Sequence, residues 1–581
     1  MTKTATIFFI FMLIAFSVYA QKENPFIRLT DPLTIDNITS SSQHFIVGST
    51  CKTCKLTIND TLVYVYPTGA FAIEVDLASH DSTFLLRAVA PSGKEKTQKV
   101  SFVFRKPKPE IPVTGNAIER IQTFPDGDLW LKPGDPVSVR VKATPGMQVL
   151  VQGDTRLYEM QDTIIGRVAG IYQGKYIIKN TDSFKVAPLQ VSLISGDSIN
   201  ITKLSRCKFT TITPDMPDIL ITKGRLAHLL YGIGDDRLGG AKIGYIDSMI
   251  PLRMIGKVGS DYKVRLAQNR TAYIPDEHVN FLPKGTFGPS SLTGKIKAYH
   301  NGTTDIIQLQ LFSRLPYQSF QETEPAAIVV DVFGATANTN WIDQLENLQE
   351  VKRVTYEQIA DEIFRIRIVL RHHQHWGHSL YYDGNNLIIS IKPQPKNLQL
   401  EKMTIAVDAG HGGSNTGAGG PTGSSEKNIA LDISKKIKQR LEDKGARVIM
   451  TRDEEMFFDN KERILFYRDS VPDLLISVHL NSSADPIHVS GTSTFYRYEG
   501  FRPLSNCIYK RMLELGLKEY GNNGSFNFML NSPTEYPNAL VETLFLSNPE
   551  EEMKALDQDF QQRMAEKIVT GVEDFLKTCR D

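Results

Sequence analysis

The chain has 581 residues, which is too many for one hydrophobic core, and a typical domain of roughly 150 residues suggests about four domains. Its 66 basic and 65 acidic residues nearly cancel, which excludes the basic surface of a typical nucleic-acid-binding protein. The composition is ordinary for a globular protein, so most of the chain is expected to fold.

Residues 1–20 predict a secretory signal peptide. An apolar run extends from Ala5 to Val18, and Val18-Tyr19-Ala20 is typical of a cleavage site before Gln21. The run is shorter than the ~20 residues of a membrane span, although an uncleaved anchor is the alternative. We therefore expect an exported protein with no membrane span after signal cleavage.

Residues 25–105 predict a β-sandwich that is similar to immunoglobulin-like modules, because short strands alternate with turns. Within it, Cys51 and Cys54 form a C-x-x-C pair without the βαβ context of a redox motif. They predict a local disulfide or two free thiols, rather than a redox or metal site. Residues 105–109, with two prolines, predict an extended linker.

The β pattern continues over residues 115–285, where Val137, Val139 and Val141 alternate with polar residues. This region ends in a segment that resembles the closing strand of a small Src-homology-type barrel, Ala272-Tyr273-Ile274-Pro275 leading to Val279. Residues 283–291 predict the next linker.

Residues 292–395 predict another β domain. Phe364, Ile366, Ile368 and Leu370 alternate with polar residues, as in a half-buried strand. Three elements follow in order: this strand, then Gln374-His375-Trp376-Gly377, then the strand at 387–391. By this order, the region resembles the AMIN modules that target peptidoglycan amidases to the cell wall. The spacing of the nearby histidines fits no metal site and favours a strand end and loop; these are His372, His373, His375 and His378.

Residues 402–578 follow a different pattern, with apolar strands that alternate with helices. The amphipathic helices are marked by apolar residues every three or four positions, such as Ile433, Ile437 and Leu441. This order predicts an α/β domain with a mostly parallel sheet covered by helices, preceded by three all-β domains.

Four polar segments lie at the expected strand ends of this domain. The first is Asp408-Ala409-Gly410-His411-Gly412-Gly413, and Glu426 follows at the start of a helix. The third strand ends in Ser477-Val478-His479-Leu480-Asn481, and Glu542 follows the apolar residues Ala539-Leu540-Val541. Because loops at strand ends are held by a rigid scaffold, these side chains are candidates for a shared site.

Two histidines and one glutamate are a ligand set suited to catalytic zinc, which keeps a fourth position for water. Zinc lowers the pKa of that water from about 15.7 to ~7, and Glu542 is a candidate to accept its proton. Asp408 is predicted to orient His411 or to cap a turn. The glycine-rich turn lacks the Gly-Lys-Ser/Thr of a phosphate-binding loop, which disfavours nucleotide binding.

Taken with Thr451-Arg452-Asp453 and Arg463, these segments resemble the zinc-dependent N-acetylmuramoyl-L-alanine amidases of bacterial cell walls over residues 403–577. The resemblance implies His411, Glu426 and His479 as zinc ligands and Glu542 as the catalytic carboxylate. It also implies cleavage of the amide between N-acetylmuramic acid and L-alanine. Arg452 and Arg463 are interpreted as structural ion-pairing residues.

Some members of this family carry a helix that blocks the zinc, inserted between the second histidine and the catalytic glutamate. Only 63 residues separate His479 from Glu542 here (542 − 479), and residues 492–538 must supply a strand, a helix and a return loop. We therefore predict no self-blocking helix and an active isolated catalytic domain.

Two alternatives remain from the sequence: a zinc peptidase acting on stem-peptide cross-links, and a non-catalytic wall-binding protein. The expected partner is peptidoglycan, with cell-division or wall-remodelling proteins as further candidates. The AMIN-like region favours a periplasmic location, with an extracellular one as the alternative.

Overall fold

The computed structural model describes residues 24–580 except 78–79, 107–109, 161–167, 197 and 235–237. The predicted signal peptide and residues 107–109 of the first predicted linker therefore lie outside the described residues. None of the described helices combines the length and apolar character that crossing a membrane requires.

The first eight strands form two sheets, of three and five strands, around a common core that includes Ile46, Phe71 and Leu86. Cys51 and Cys54, which are buried members of this core, form a disulfide, and this is one of the two states that the sequence predicts. The strands are β1 (Ile27–Asp31), β2 (Asp36–Thr39), β3 (Gln43–Thr50), β4 (Lys55–Ile58), β5 (Thr61–Val63), β6 (Ala70–Asp76), β7 (Ser82–Val89) and β8 (Glu95–Phe104).

The next fifteen strands join into one continuous sheet. Its first half surrounds a core that includes Val139, Leu193 and Phe209. The strands are β9 (Ile118–Phe124), β10 (Leu129–Leu131), β11 (Pro136–Ala143), β12 (Gln148–Val151), β13 (Thr155–Glu159), β14 (Ile171–Ile177), β15 (Ala187–Ser195), β16 (Ser198–Thr211), β17 (Ile219–Thr222), β18 (His228–Leu230), β19 (Lys242–Tyr245), β20 (Pro251–Val258), β21 (Asp261–Ala267), β22 (Arg270–Pro275) and β23 (Val279–Phe281). We call β17–β23 the barrel segment, after the predicted resemblance of its end to a small barrel.

The following ten strands form a six-stranded and a four-stranded sheet. Their core is shared with the barrel segment, since Leu252 and Ile274 belong to the same buried cluster as Ile328 and Ile389. Residues 283–291 therefore connect two parts that pack together. The strands are β24 (Ser291–His300), β25 (Asp305–Leu311), β26 (Tyr317–Thr323), β27 (Ala326–Phe333), β28 (Ala335–Thr336), β29 (Ile342–Gln344), β30 (Val351–Ala360), β31 (Ile363–Leu370), β32 (His378–Asp383) and β33 (Asn386–Ile391).

The histidine-rich segment lies between β31 and β32, as the sequence predicts for a strand end and loop. Three of its rings form hydrogen bonds with separate partners. His372 contacts the Glu350 carboxylate (2.8 Å), His375 contacts the Glu322 carbonyl (2.8 Å) and His378 contacts the Ser319 hydroxyl (2.9 Å). Within the described ranges these rings belong to no group that could hold a metal ion.

Trp376, in the same segment, is almost fully buried, but its ring lies in the core of the C-terminal sheet. It packs against Phe575, with 5.8 Å between the ring centroids, and its Nε1 donates a hydrogen bond to Gln394 Oε1 (3.1 Å). The AMIN-like region and the C-terminal region therefore share packed side chains.

The C-terminal region contains a six-stranded sheet in the order β35-β34-β36-β39-β37-β38, in which only the pairing of β37 with β39 is antiparallel. Helices α1, α3 and α5 pack on one face, and α2 packs on the other through Ile464 and Tyr467. The elements are β34 (Thr404–Ala409), α1 (Glu426–Asp443), β35 (Arg447–Ile449), α2 (Asn460–Ser470), β36 (Leu474–Asn481), β37 (Thr492–Phe495), α3 (Arg502–Leu513), β38 (Glu519–Asn523), β39 (Asn538–Phe545), α4 (Pro549–Leu556) and α5 (Gln558–Thr578).

Helix α2 begins at a capping box. Asp459 caps α2 through a hydrogen bond from the Glu462 amide (2.7 Å), and the Glu462 carboxylate accepts one from the Asp459 amide (3.0 Å). Residues 492–538 supply one strand more than the sequence predicts, because β38 adds to the sheet edge beside β37. This strand occupies part of the length that the sequence analysis assigned to a return loop.

Candidate metal centre

The carboxyl ends of three neighbouring strands bring the predicted residues together. Strand β34 leads into His411, β36 carries His479 and β39 carries Glu542. His479 and Glu542 are paired in register on parallel strands, so their side chains leave the same face of the sheet side by side. His411 has a φ of 59°, a conformation that a non-glycine residue adopts only when its surroundings enforce it.

The side chains of His411, Glu426 and His479 form one compact group. Glu426 Oε1 lies 3.0 Å from His411 Nε2 and 2.9 Å from His479 Nδ1, and the three candidate ligand atoms all lie within 4.8 Å of one another. Tetrahedral zinc with bonds of about 2.0–2.1 Å separates neighbouring ligand atoms by roughly 3.3 Å. The group therefore fits a metal ion with only small adjustments.

Two glycines make room for this group. A Cβ on Gly410 would collide with the His479 ring, and one on Gly417 would collide with the Glu426 carboxylate and the His411 ring. Gly417 also has a φ of 67°, which favours glycine. The glycine-rich turn is thus required for close packing around the ligand atoms.

Backbone amides and Asn415 hold the ligand side chains in place. Ala418 N donates to Glu426 Oε2 (2.7 Å) and Leu480 N donates to Oε1 (3.0 Å), while Asn415 Oδ1 lies 2.9 Å from His411 Nδ1. Burial acts to raise the pKa of Glu426, but the hydrogen bonds to both histidines outweigh it and hold the pKa well below its usual range. The carboxylate is therefore charged, as a metal ligand must be.

Asp408 does not orient His411 directly, which corrects one of the two predicted roles. It is fully buried and accepts hydrogen bonds from Arg463 Nη1 (2.7 Å) and Ser477 Oγ (2.9 Å). Burial acts to raise its pKa, but the charge of Arg463 dominates and the pKa lies below its usual value. Because Asn415 occupies the position beside His411 Nδ1, Asp408 acts on the site only through the framework.

Arg463 pairs with Asp408 as predicted and also donates to the carbonyls of Ala409 (2.7 Å) and His411. Arg452 differs from its predicted ion-pairing role, because its side chain donates to the carbonyls of Gly410 and Lys427 (2.7 and 2.8 Å). Both guanidinium groups therefore stabilise the backbone of the turn that carries His411.

Glu552 supports the loop that precedes Glu426. Its buried carboxylate accepts hydrogen bonds from Thr422 N (3.0 Å), Thr422 Oγ1 (2.6 Å) and Ser424 Oγ (2.6 Å). Sequence reasoning missed this residue, since the acidic run at 550–552 is typical of an exposed first turn of a helix. Asn415 was also missed, although a polar residue four positions after His411 in a glycine-rich turn is a usable signal.

The candidate metal-binding group (His411, Glu426 and His479) and Glu542 line one cavity of about 940 Å³, which lies at the upper end of the range for ligand sites. Glu542 is 9% exposed, and its negative charge acts on His479 across the pair of strands. A carboxylate beside a potential metal position, facing a cavity, is suited to general acid–base chemistry.

Comparison with known proteins identifies the two C-terminal regions. A protein-family model described as N-acetylmuramoyl-L-alanine amidase matches residues 405–574, and one described as AMIN domain matches residues 295–394. YqiI of Bacillus subtilis, itself uncharacterised, is 31% identical over 181 residues, which cover 30% of this chain and 86% of YqiI.

The probable cell wall amidase LytH of Staphylococcus aureus is 29% identical over 188 residues, which cover 32% of this chain and 62% of LytH. Among solved structures, the catalytic domain of CwlV, an N-acetylmuramoyl-L-alanine amidase from Bacillus (Paenibacillus) polymyxa var. colistinus, is 30% identical. That match covers 30% of this chain and 98% of the CwlV domain, with a TM-score of 0.29. On the family match and the sequence relatives, this chain belongs to the N-acetylmuramoyl-L-alanine amidase family, with its amidase domain at the C-terminus.

Proposed function

We propose that this protein hydrolyses the amide bond between N-acetylmuramic acid and L-alanine in peptidoglycan, with zinc held by His411, Glu426 and His479. The observation that carries the proposal is the convergence of these three side chains at the carboxyl end of the sheet, beside Glu542 and a cavity. When bound, zinc makes hydroxide available near neutral pH by lowering the pKa of its water.

In this mechanism Asn415 fixes the orientation of the His411 ring, and the amides of Ala418 and Leu480 keep the Glu426 carboxylate in place. Glu542 accepts the proton of the attacking water and passes it to the leaving amine of L-alanine. Its register with His479 supports this role, because the two side chains project from adjacent strands toward the same cavity. General acid–base catalysis of this kind contributes about 10²–10⁴-fold to the rate.

The Glu542→Gln variant tests the mechanism. It is expected to bind zinc normally and to lose at least about 100-fold in turnover of soluble muropeptides, because the amide cannot accept the proton. The exposed residue Glu550, which pairs with Lys554, provides the matched control Glu550→Gln. Unchanged turnover by Glu542→Gln would contradict the assigned role.

Mass spectrometry of the products identifies the bond that is cleaved. An amidase releases peptides that begin with L-alanine and leaves bare glycan, whereas a peptidase acting on cross-links leaves peptide on the glycan. Removal of zinc by a chelator should abolish the release, and added zinc should restore it. A chain without turnover in both metal states would support a non-catalytic wall-binding role.

We further propose that the protein is exported and that its N-terminal β domains, including the AMIN region, hold it on the polymeric wall. Holding an enzyme on its substrate raises the local concentration without adding to the chemistry. The Glu542→Gln full-length chain is the suitable probe, since it should sediment with intact sacculi without digesting them. A variant that stays in the supernatant would count against wall binding.

The isolated C-terminal domain is a less suitable probe than the full chain. Residues 400–581 lack Trp376, which fills part of the core of that domain, and Leu226 and Tyr245, which pack on the opposite face of the sheet. The predicted activity of the isolated domain therefore remains a prediction. A loss of activity on truncation would reflect lost packing as much as a missing activator.

A further inference from the structure

The cavity at the metal-binding group has a second wall, which the catalytic domain does not supply. The barrel segment and the loop before β19 line the same cavity as His411 and His479, and Leu230, Lys242 and Tyr245 are among the residues that line it. The cavity is therefore lined by two regions that are about 180 residues apart in the sequence (411 − 230).

Hydrogen bonds hold the backbone of this second wall against the catalytic domain. Asn527 Nδ2 donates to the carbonyls of Leu238 (3.1 Å) and Gly240 (3.0 Å), and Arg497 Nη2 donates to the carbonyl of Lys242 (2.5 Å). Because these contacts hold the backbone on both sides of residue 241, the Cα of Lys242 has a defined position at the cavity.

Apolar and cationic contacts extend the same interface. Leu226 lies in a buried cluster with Leu530 and Tyr536, and the Arg468 guanidinium lies 5.4 Å from the centroid of the Tyr245 ring. Arg468 Nη1 also donates to the carbonyl of Arg225 (3.1 Å). The wall therefore rests on a packed interface and does not depend on a single contact.

Lys242 carries positive charge into this cleft. Its side chain is half-buried, and burial followed by the nearby charge of Arg497 lowers the pKa of Lys242 to about 8, so the ammonium is still mostly protonated at pH 7. The described residues, which exclude 235–237, offer it no ion pair. A partly desolvated ammonium gains more from an anionic ligand than an exposed one does.

The other charged groups of the cleft do not share this arrangement. Glu277 is paired with Lys461 (3.2 Å), and Asp261 lies on β21 of the barrel segment, where burial raises its pKa. His228 has its pKa lowered to about 4 by burial, so its ring is neutral near pH 7. Lys242 is thus the cationic group of this wall that suits a carboxylate.

We propose that Lys242 binds a carboxylate of the stem peptide, so that the barrel segment completes the substrate site of the amidase domain. This inference rests on the proposed function, because it assumes that the bound stem peptide extends from His411, Glu426 and His479 along this cleft toward Lys242. A peptide that extends beyond L-alanine carries at least its C-terminal carboxylate, and a cavity of about 940 Å³ has room for several residues.

The test compares two soluble substrates on the full-length enzyme, N-acetylmuramoyl-pentapeptide and N-acetylmuramoyl-L-alanine amide, which has no carboxylate on its peptide. Lys242→Met should raise KM for the pentapeptide substrate by roughly 10- to 100-fold, the range of a hydrogen bond between charged groups, with little change in kcat. The amide substrate should show no change, which also verifies that the variant is folded.

Lys242→Arg keeps the charge and should recover part of the affinity, while Lys295→Met, an exposed lysine on β24, serves as the matched control. Equal KM values for wild type and Lys242→Met on the pentapeptide substrate would overturn the inference, as would equal increases on both substrates. A wild-type enzyme that cleaves neither substrate would overturn the proposed function itself, and the inference with it.

Discussion

Replacing Arg463 by Met is expected to destabilise the amidase domain by about 3–5 kcal/mol, because the substitution leaves the Asp408 carboxylate buried without its counter-charge. The two side chains are 2% and 0% exposed and 2.7 Å apart. At an effective dielectric constant of ~20 their attraction is about 6 kcal/mol. Ser477 and Thr451 still donate to Asp408 in the variant, which keeps the loss below that figure.

Native-state hydrogen exchange is a suitable assay, since a chain with several domains does not unfold in one step. The amides of Val407 and Ile476 lie in the adjacent interior strands β34 and β36 and report opening of the sheet. Arg440 provides the matched control, because its pair with Glu566 is about 40% exposed and Arg440→Met should cost about 0–1 kcal/mol.

A double variant separates the charge from the packing. Adding Asp408→Asn to Arg463→Met removes the isolated buried charge and should recover part of the lost stability. If Arg463→Met costs no more than Arg440→Met, the ion pair does not stabilise the turn that carries His411, and the reasoning is refuted.

Two further predictions concern pH and the loop before Glu426. Burial lowers the pKa of His375 to about 4 and of His378 to about 3, so both rings are neutral in the folded protein. The unfolded chain takes up protons below about pH 6.5, so the stability of this region should fall as the pH decreases from there, by about 2 kcal/mol per ring at pH 5. Native-state hydrogen exchange of the β32 amides would contradict this if it gave the same opening free energy at pH 7 and at pH 5. Glu552→Ala leaves the Thr422 and Ser424 donors without their acceptor and should weaken zinc binding by about 10–100-fold in a chelator competition. Glu552→Gln is the milder control. Equal zinc affinities of Glu552→Ala and wild type would show that the loop does not depend on this carboxylate.

The candidate site was predictable because its residues follow apolar strands. His411 follows β34, while His479 and Glu542 lie within the carboxyl-terminal halves of β36 and β39, two and three residues before their ends (481 − 479 and 545 − 542). The buried residues of these strands give a strong local signal. In a sheet whose central strands are parallel, those ends meet at one edge, so local patterns determine which side chains converge. Glu426 was predictable for a related reason, since it opens the helix that follows the glycine-rich turn.

Features that depend on contacts between distant segments could not be predicted in the same way. Lys242 lies in a β segment whose pattern gives no indication that it faces a cleft, and only the packing of the barrel segment brings it there. Leu252 and Ile389 belong to one core, although a predicted linker separates them in the sequence. Prolines in a connection indicate that the chain changes direction, but they do not indicate whether the two flanking regions pack together. The ligand-orienting role of Asn415 depends on the conformation of the turn at His411, which the residue types alone do not specify.

Trp376 fixes the position of the AMIN region relative to the amidase domain. Its ring packs in the core of the amidase domain, while its backbone belongs to the AMIN region. The two regions therefore cannot move independently, as domains joined by a flexible linker can. If the AMIN region holds a glycan strand, as we propose, the candidate metal centre would lie at a fixed distance from the point of attachment. Cleavage would then be confined to bonds at that offset, and the spacing of cuts along a strand would be a property of the fold.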